Sequence, residues 1–332
     1  MRNILILLCM ACTIAPLGCI EDFELKLPSA EPRLVVDGLI SGKPGPYYIR
    51  LTLSNVGSMT TSENLYTSIV MPVNEANVVI SDNSGQIDTL QYVQWDENDY
   101  QYDYRIGYFK IIKDVNGNTI DTIALSDPYY FNKKGFYKTT HIKGIPGNTY
   151  FLNVTYQQKE YTASAYMPTV PIIDSVGYIL KESEQVGKSD KYFPLLYFKE
   201  PQGIKNYYLI QLNNDILSQS YTNSLWQFSI LSDTYLKPYV NGLNVSTGYS
   251  PRGENFYPAY SIGDSIYVAL SSLTKEGYDF YKNLIDQFDS DGGAYKPTPA
   301  SPQGNISNGG LGFFRASAFS EGRTYIKYTE PK

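Results

Sequence analysis

Cysteine is nearly missing from this chain, and its placement is informative. The 332 residues contain three, Cys9, Cys12 and Cys19, all at the extreme N-terminus. Everything after Cys19 therefore has no disulfide, no cysteine metal site and no catalytic thiol. Histidine is scarcer still, with His141 as the single example. That excludes a zinc centre built from several histidines. A Ser-His-Asp triad would have to use His141, yet no Gly-x-Ser-x-Gly elbow accompanies it. A structural or surface role is the expectation for His141, which sits in the strand-like stretch Tyr137 to Lys143. An excess of positive charge is missing too: the net charge is −6. Nucleic acid is thus not an expected partner, because its binding rests on Lys and Arg neutralising phosphates.

What the chain does have is apolar residues and tyrosine. It is 42% hydrophobic and 18% charged, the balance of a globular protein. Its length allows about two domains and a core that can hold without disulfides. The 32 tyrosines point first to β-structure, since Tyr favours strands and tolerates one wet edge.

The N-terminus reads as an address. Arg2 gives a positive head, and Ile4 to Leu17 is apolar apart from Thr13. This run is shorter than the roughly 20 residues a spanning helix needs and fits the core of a secretory signal. It ends in Pro16-Leu17-Gly18-Cys19. The arrangement resembles the lipobox of bacterial lipoproteins, although Pro16 stands where Leu is usual. The resemblance implies cleavage after residue 18 and lipidation of Cys19. Cys12, after Ala11, is the rival position with a very short apolar core. Next come Glu21, Asp22 and Glu24, which look like the acidic export signal of Bacteroidota surface lipoproteins. The plainer reading is a solvated acidic linker.

Residues 19–32 form this acidic stretch and a tether. Strands are predicted at Arg33 to Ile40, Tyr47 to Leu53 and Asn77 to Ser81. Asp82-Asn83-Ser84-Gly85 makes a reversal, and Gln86 to Val93 pairs back. Tyr108 to Lys113 and Thr119 to Leu125 flank Asn116-Gly117, a pair suited to a type I′ turn. Phe151 to Tyr156 and Glu160 to Tyr166 form another hairpin. Ala76, Val78, Ile80, Tyr150, Leu152 and Val154 recur at period two and should face inward. The ordering resembles immunoglobulin-like and transthyretin-like sandwiches, giving a first domain over 33–170. Pro168 to Pro171 is the hinge. A second β-rich domain, sandwich or barrel-like, is expected over 171–332. Its strands are placed at Asp174 to Leu180, Leu195 to Phe198, Tyr207 to Leu212, Leu225 to Leu231, Ser265 to Ser271, Gly312 to Ala318 and Thr324 to Tyr328. One helix is predicted over about 274–288, capped by Thr274. Tyr278, Tyr281, Leu284, Ile285 and Phe288 lie on one face of it. The fold class is mainly β.

Candidate chemistry is sparse. Asp114 to Asn118 starts like a calcium loop, but its glycine is misplaced and position twelve is Leu125. Asp289-Ser290-Asp291-Gly292 has Ala300 where a bidentate Glu is needed. Gly309-Gly310-Leu311-Gly312 lacks the Lys-Ser/Thr of a phosphate loop and reads as close backbone packing. No cofactor or metal is expected. Trp95, Tyr100, Tyr102 and Tyr104 sit among acids, where they could grip a glycan, a peptide or a partner. The alternative is an exposed hairpin tip. Asp88-Thr89-Leu90, Asp121-Thr122-Ile123, Asp174-Ser175-Val176 and Asp264-Ser265-Ile266 resemble the Asp-Ser/Thr-aliphatic O-glycosylation pattern of Bacteroidota.

An ordered set of segments carries a wider resemblance. It comprises Cys19 to Asp22, Glu31 to Gly38 (EPRLVVDG), the joint Tyr161 to Ser175 (YTASAYMPTVPIIDS), Leu273 to Gln287, and Pro299 to Ser317 with its GNISNGGLGFFRAS. Together they look like domain of unknown function family 4249, lipoproteins of Bacteroidota. That resemblance implies a lipid-anchored outer-membrane protein and brings no established catalytic residues; with no catalytic set in the sequence, the expectation is a protein that is not an enzyme. The resemblance also implies a TonB-dependent outer-membrane transporter as partner. Rival expectations are a self-contained adhesin or glycan-binding lipoprotein, and a carboxylate-dependent hydrolase.

Overall fold

The computed structural model describes residues 31–54, 71–93, 135–181, 191–213, 228–245, 248–249, 255–256, 260–288 and 302–327, and the backbone pairing of 101–103, 107–113 and 119–125. In chain order the first strands are β1 (Leu34–Ser41), β2 (Tyr48–Leu53), β3 (Met71–Pro72), β4 (Asn77–Asp82), β5 (Ile87–Thr89) and β6 (Gln91–Tyr92). There follow β7 (Gln101–Asp103), β8 (Gly107–Lys113), β9 (Thr119–Leu125), β10 (Phe136–Lys138), β11 (Thr149–Tyr156) and β12 (Lys159–Tyr166). The second half contributes β13 (Ile173–Lys181), β14 (Lys191–Lys199), β15 (Tyr207–Asn213), β16 (Phe228–Ser232), β17 (Tyr239–Asn244), β18 (Gly248–Tyr249), β19 (Asn255–Phe256) and β20 (Ser265–Leu273). The helix α1 (Lys275–Phe288) and strands β21 (Leu311–Ser317) and β22 (Phe319–Tyr325) close the chain.

The first core lies between two sheets. One runs β21-β1-β2-β10-β6, with β3 beside β2; the other runs β12-β11-β4-β5. Alternation places Val36, Ile40, Ile49 and Leu51 of the first against Val78, Ile80, Tyr150, Leu152 and Val154 of the second. Ala76 packs against the same cluster, partly buried. Tyrosine bodies fill this core while their hydroxyls tie down loops. Tyr137 Oη donates to the Val73 carbonyl at 3.1 Å and accepts from Ala76 N at 3.0 Å. Tyr150 Oη donates to the Lys143 carbonyl at 2.9 Å and accepts from Ile145 N at 2.6 Å. A Phe at either place would leave backbone groups unpaired, which costs about 1–3 kcal/mol each.

The second half has three layers. Sheet β13-β14-β17 packs on sheet β19-β18-β16-β15-β20-β22 through Val176, Leu196, Phe198, Tyr208, Ile210, Ile266 and Val268. On the opposite face, Leu209, Phe228 and Leu273 meet Tyr281 and Ile285 of α1. The helix starts where Thr274 predicts: its Oγ1 accepts from Gly277 N at 3.2 Å. Between the sandwich and barrel readings of this half, the layered arrangement applies, and no described sheet closes on itself.

The tail differs from the expected division at residue 170. Leu311–Ser317 does not extend the second half; it pairs in parallel with Leu34–Ser41, with Val36 opposite Gly312 and Ile40 opposite Ala316. Phe314, Ala316 and Ala318 are members of the first core. After Ala318 the chain enters β22, which pairs with β20 in the second half. One continuous segment thus threads both cores. Ser272 holds the crossing: its Oγ donates to the Pro168 carbonyl at 2.7 Å and accepts from Ala318 N at 2.9 Å. From Pro32 onward the described residues accordingly fall into one contact unit.

Two smaller differences have clear causes. The predicted pairing run Gln86 to Val93 is split. Ile87–Thr89 pairs with β4, whereas Gln91–Tyr92 pairs with β10 in the other sheet, so the chain changes sheets at buried Leu90. His141 lies beyond β10 in an irregular segment, not in a strand. The following residues are drawn off the strand path by hydrogen bonds to Asp88.

Candidate functional site

Most residues singled out from the sequence lie outside the described residues. These are Cys19, Glu21, Asp22, Glu24, Trp95, Tyr100 and Tyr104, as well as the Asp289 to Gly292 turn and the Asn116-Gly117 turn. Tyr102 is placed only by its backbone, opposite Tyr108 in the β7–β8 ladder. His141 is described: its Nδ1 is 2.8 Å from Thr140 Oγ1 and its Nε2 2.9 Å from the Ile87 carbonyl oxygen. Both ring nitrogens are engaged in fastening a loop, which fits the structural role expected of it.

The buried carboxylates are the next places to look for chemistry. Asp88 is fully buried. Its oxygens accept from Thr140 N, His141 N and Ile142 N at 2.8, 2.8 and 2.9 Å, and from Thr140 Oγ1 at 2.7 Å. Burial alone would raise its pKa, but these donors outweigh it and hold the carboxyl below the usual range. Asp88 is therefore a clamp on the 140–142 loop, while Thr89 next to it is exposed. Asp82 caps its own turn, accepting from Ser84 N, Ser84 Oγ and Gln86 N. Burial works against ionisation there too, and the same donors bring the pKa below its ordinary value.

Glu200 behaves differently. It is 2% exposed and accepts from Tyr208 Oη at 2.9 Å and Asn206 Nδ2 at 2.8 Å. Burial dominates over these bonds and raises its pKa. Nearby Asp233 is paired with Lys205 and accepts from Asn206 N at 2.7 Å. Each carboxylate of this pair is thus tied to structural partners. Among the described residues, no cluster of three His, Cys, Asp or Glu side chains could hold a metal ion.

Three of the segments that carry the family resemblance, those beginning at Glu31, Tyr161 and Pro299, meet around the tail. Gly304 to Gly312 runs along the edge of β12 and into β21. Ser307 N donates to the Thr162 carbonyl at 2.8 Å, and Ser307 Oγ accepts from Thr162 N at 2.7 Å. Asn305 Nδ2 donates to the carbonyls of Ser164 and Phe314, and Asn305 Oδ1 accepts from Phe314 N at 2.9 Å. Arg33 Nε donates to the Gly309 carbonyl at 2.7 Å, fastening the start of β1 to the same latch. The glycines are required here. Gly312 has φ +89°, and a Cβ on it would collide with the Val36 carbonyl; a Cβ on Gly304 would collide with the Gly312 carbonyl. The close backbone packing expected of Gly309 to Gly312 is present at Gly312, while Gly309 has open space around it.

Beside the latch lies an open concavity of about 780 Å³. Its floor is the outward face of β4, β11 and β12, in two cross-strand rungs: Val79, Asn153 and Thr162, then Ser81, Phe151 and Ser164. Gly304 to Ser307 form the flank. Phe151 is 44% exposed. Sequence reasoning missed this site because an outward Phe in a period-two strand carries no mark of its own; the flank comes from residues about 150 positions away.

The family model described as "Domain of unknown function (DUF4249)" matches residues 20–323. Among curated proteins, nothing matches the chain.

Proposed function

The chain belongs to the DUF4249 family, and from that premise we propose that it is a lipid-anchored protein of the outer-membrane surface. In this reading it is not an enzyme, and it assists a TonB-dependent transporter in capturing or admitting a nutrient. The observation that carries the reading is the leader: a charged head, a short apolar run and Gly18-Cys19 at its end, followed by Glu21, Asp22 and Glu24. Cys19 is the only cysteine left once such a leader is removed, and lipidation gives it a use. Two lines of physical reasoning support the rest. The segment from Cys19 to Arg33 reaches at most about 50 Å when fully extended, so the body would stay close to the membrane. Among the described residues, the buried carboxylates Asp82, Asp88 and Glu200 all have structural partners.

Purification of the tagged full-length protein in mild detergent is the test. An outer-membrane barrel should co-purify with it, and recovery of the protein alone would count against the transporter role. Separately, Cys19→Ala should abolish acylation and release the protein from membranes. Retention of that variant in the membrane fraction would remove the anchor.

A further inference from the structure

Beyond the anchor and the transporter, and independently of both, we propose that the concavity on the outward face of β4, β11 and β12 binds a neutral carbohydrate chain. Among the described residues, the lining contains no charged side chain. A ligand of either sign would gain no paired charge there, so the site selects against anionic sugars and charged peptides. On its floor the half-exposed Phe151 offers an aromatic side chain of the kind on which the apolar side of a hexose can lie. Tyr166, 47% exposed, follows Ser164 on the same outward face of β12 and extends the aromatic surface diagonally from Phe151.

Around the ring stand groups suited to hydroxyls. Among the described residues, the side chains of Ser81, Asn153 and Ser164 have no hydrogen-bond partner, unlike Thr162, whose hydroxyl donates to Ser307 Oγ at 3.0 Å. A concave site with one apolar platform and a few convergent neutral donors and acceptors is the general form of a small-ligand pocket. The flank is fixed in advance, because Asn305 and Ser307 are each held by several hydrogen bonds. A preformed wall lowers the ordering cost of binding.

An extended peptide is the natural rival on a β-surface, adding itself as a strand to a free edge. Here the β12 edge is already occupied. Thr162 N and its carbonyl are both bonded to Ser307, the Ser164 carbonyl to Asn305, and the Glu160 carbonyl to Asn308. Strand addition at this place would first have to displace the latch. The open face, not the edge, is what remains for a ligand.

The test uses the full-length protein in detergent micelles. It is applied to an array of neutral oligosaccharides, their uronic-acid counterparts and unstructured peptides, with titration calorimetry of the best binder. Neutral oligosaccharides should bind in preference to both other classes. Phe151→Ala should weaken binding roughly tenfold by removing the stacking surface. Ser164→Trp, which fills the groove from an exposed position, should abolish it with the melting temperature retained. The proposal is overturned by any of three results: no neutral oligosaccharide bound at millimolar concentration, preference for peptides or acidic sugars, or unchanged affinity in the folded Ser164→Trp variant.

Discussion

Asp88 in the first core and Glu200 in the second are both buried carboxylates, yet their surroundings push them in opposite directions. Asp88 faces three backbone N–H groups and a hydroxyl, and the ionised form is the favoured one. Glu200 accepts from a phenol and an amide side chain, with the Lys205–Asp233 pair nearby, but burial outweighs these bonds and the protonated form gains. The difference follows from how each half is built. The first core is closed by loops and by a tail that returns from far along the chain. Acceptors such as Asp82, Asp88 and Asn305 satisfy the backbone groups those segments would otherwise leave bare. In the second half Glu200 lies among described strands whose backbone groups bond one another, and it meets side-chain donors alone.

This contrast can be broken at several points. The largest effect belongs to Gly312→Val. A branched side chain at φ +89° against the Val36 carbonyl separates β21 from β1, and about 4 kcal/mol or more of stability should be lost. Hydrogen exchange should show protection falling across Leu34–Ser41 while Tyr207–Asn213 and Ser265–Leu273 keep theirs. Equal loss in both regions would show that the two cores are not separable in this way. Next in size is Asp88→Ala, which strands the amides of residues 140–142 and should cost about 3 kcal/mol. A urea midpoint unchanged from that of the parent protein would disprove the clamp.

Acidity sharpens the same comparison. The depressed pKa values of Asp82 and Asp88 contribute stability that is present above the ordinary carboxylate range and lost as pH falls through their lower folded values. The raised pKa of Glu200 works the other way: its contribution is full below the ordinary carboxylate pKa and lost as pH rises through the folded value. Lowering the pH from 7 toward 3 should therefore loosen the amides of residues 140–142 while firming the Glu200–Tyr208 neighbourhood. The smallest effect is Glu200→Gln, which keeps an acceptor for Tyr208 and Asn206. It should change stability by about 1 kcal/mol or less and remove the firming on acidification. A Gln variant that still firms as pH falls would assign the effect to another group.

Local features of the sequence were legible. Period-two alternation identified the inward set Ala76, Val78, Ile80, Tyr150, Leu152 and Val154, of which the last five are buried and Ala76 is partly buried. The capping Thr274, the helical face through Tyr281 and Ile285, and the Asp82 to Gly85 reversal also followed from local chemistry. Pairings between distant segments were not legible. Nothing within Leu311–Ser317 says that its partner is Leu34–Ser41, because a strand's hydrogen bonds carry no address and its apolar pattern fits any sheet. Tyr239–Asn244 escaped notice for another reason. Its Asn241-Gly242 pair looks like a turn, but Gly242 has φ +77° and lies beside an irregularity in the β14–β17 ladder. The candidate binding face was hidden likewise, since its floor and flank meet only after the tail has returned.

That return of the tail is the central claim, and a fragment tests it most directly. Residues 33–170 contain every strand of the first core except β21, and they lack Ile306, Phe314, Ala316 and Ala318 of its apolar cluster. Expressed alone, this fragment should show no cooperative thermal transition, and joining 302–318 to it should restore one. A cooperative melt of the bare fragment near that of the full-length protein would contradict the account.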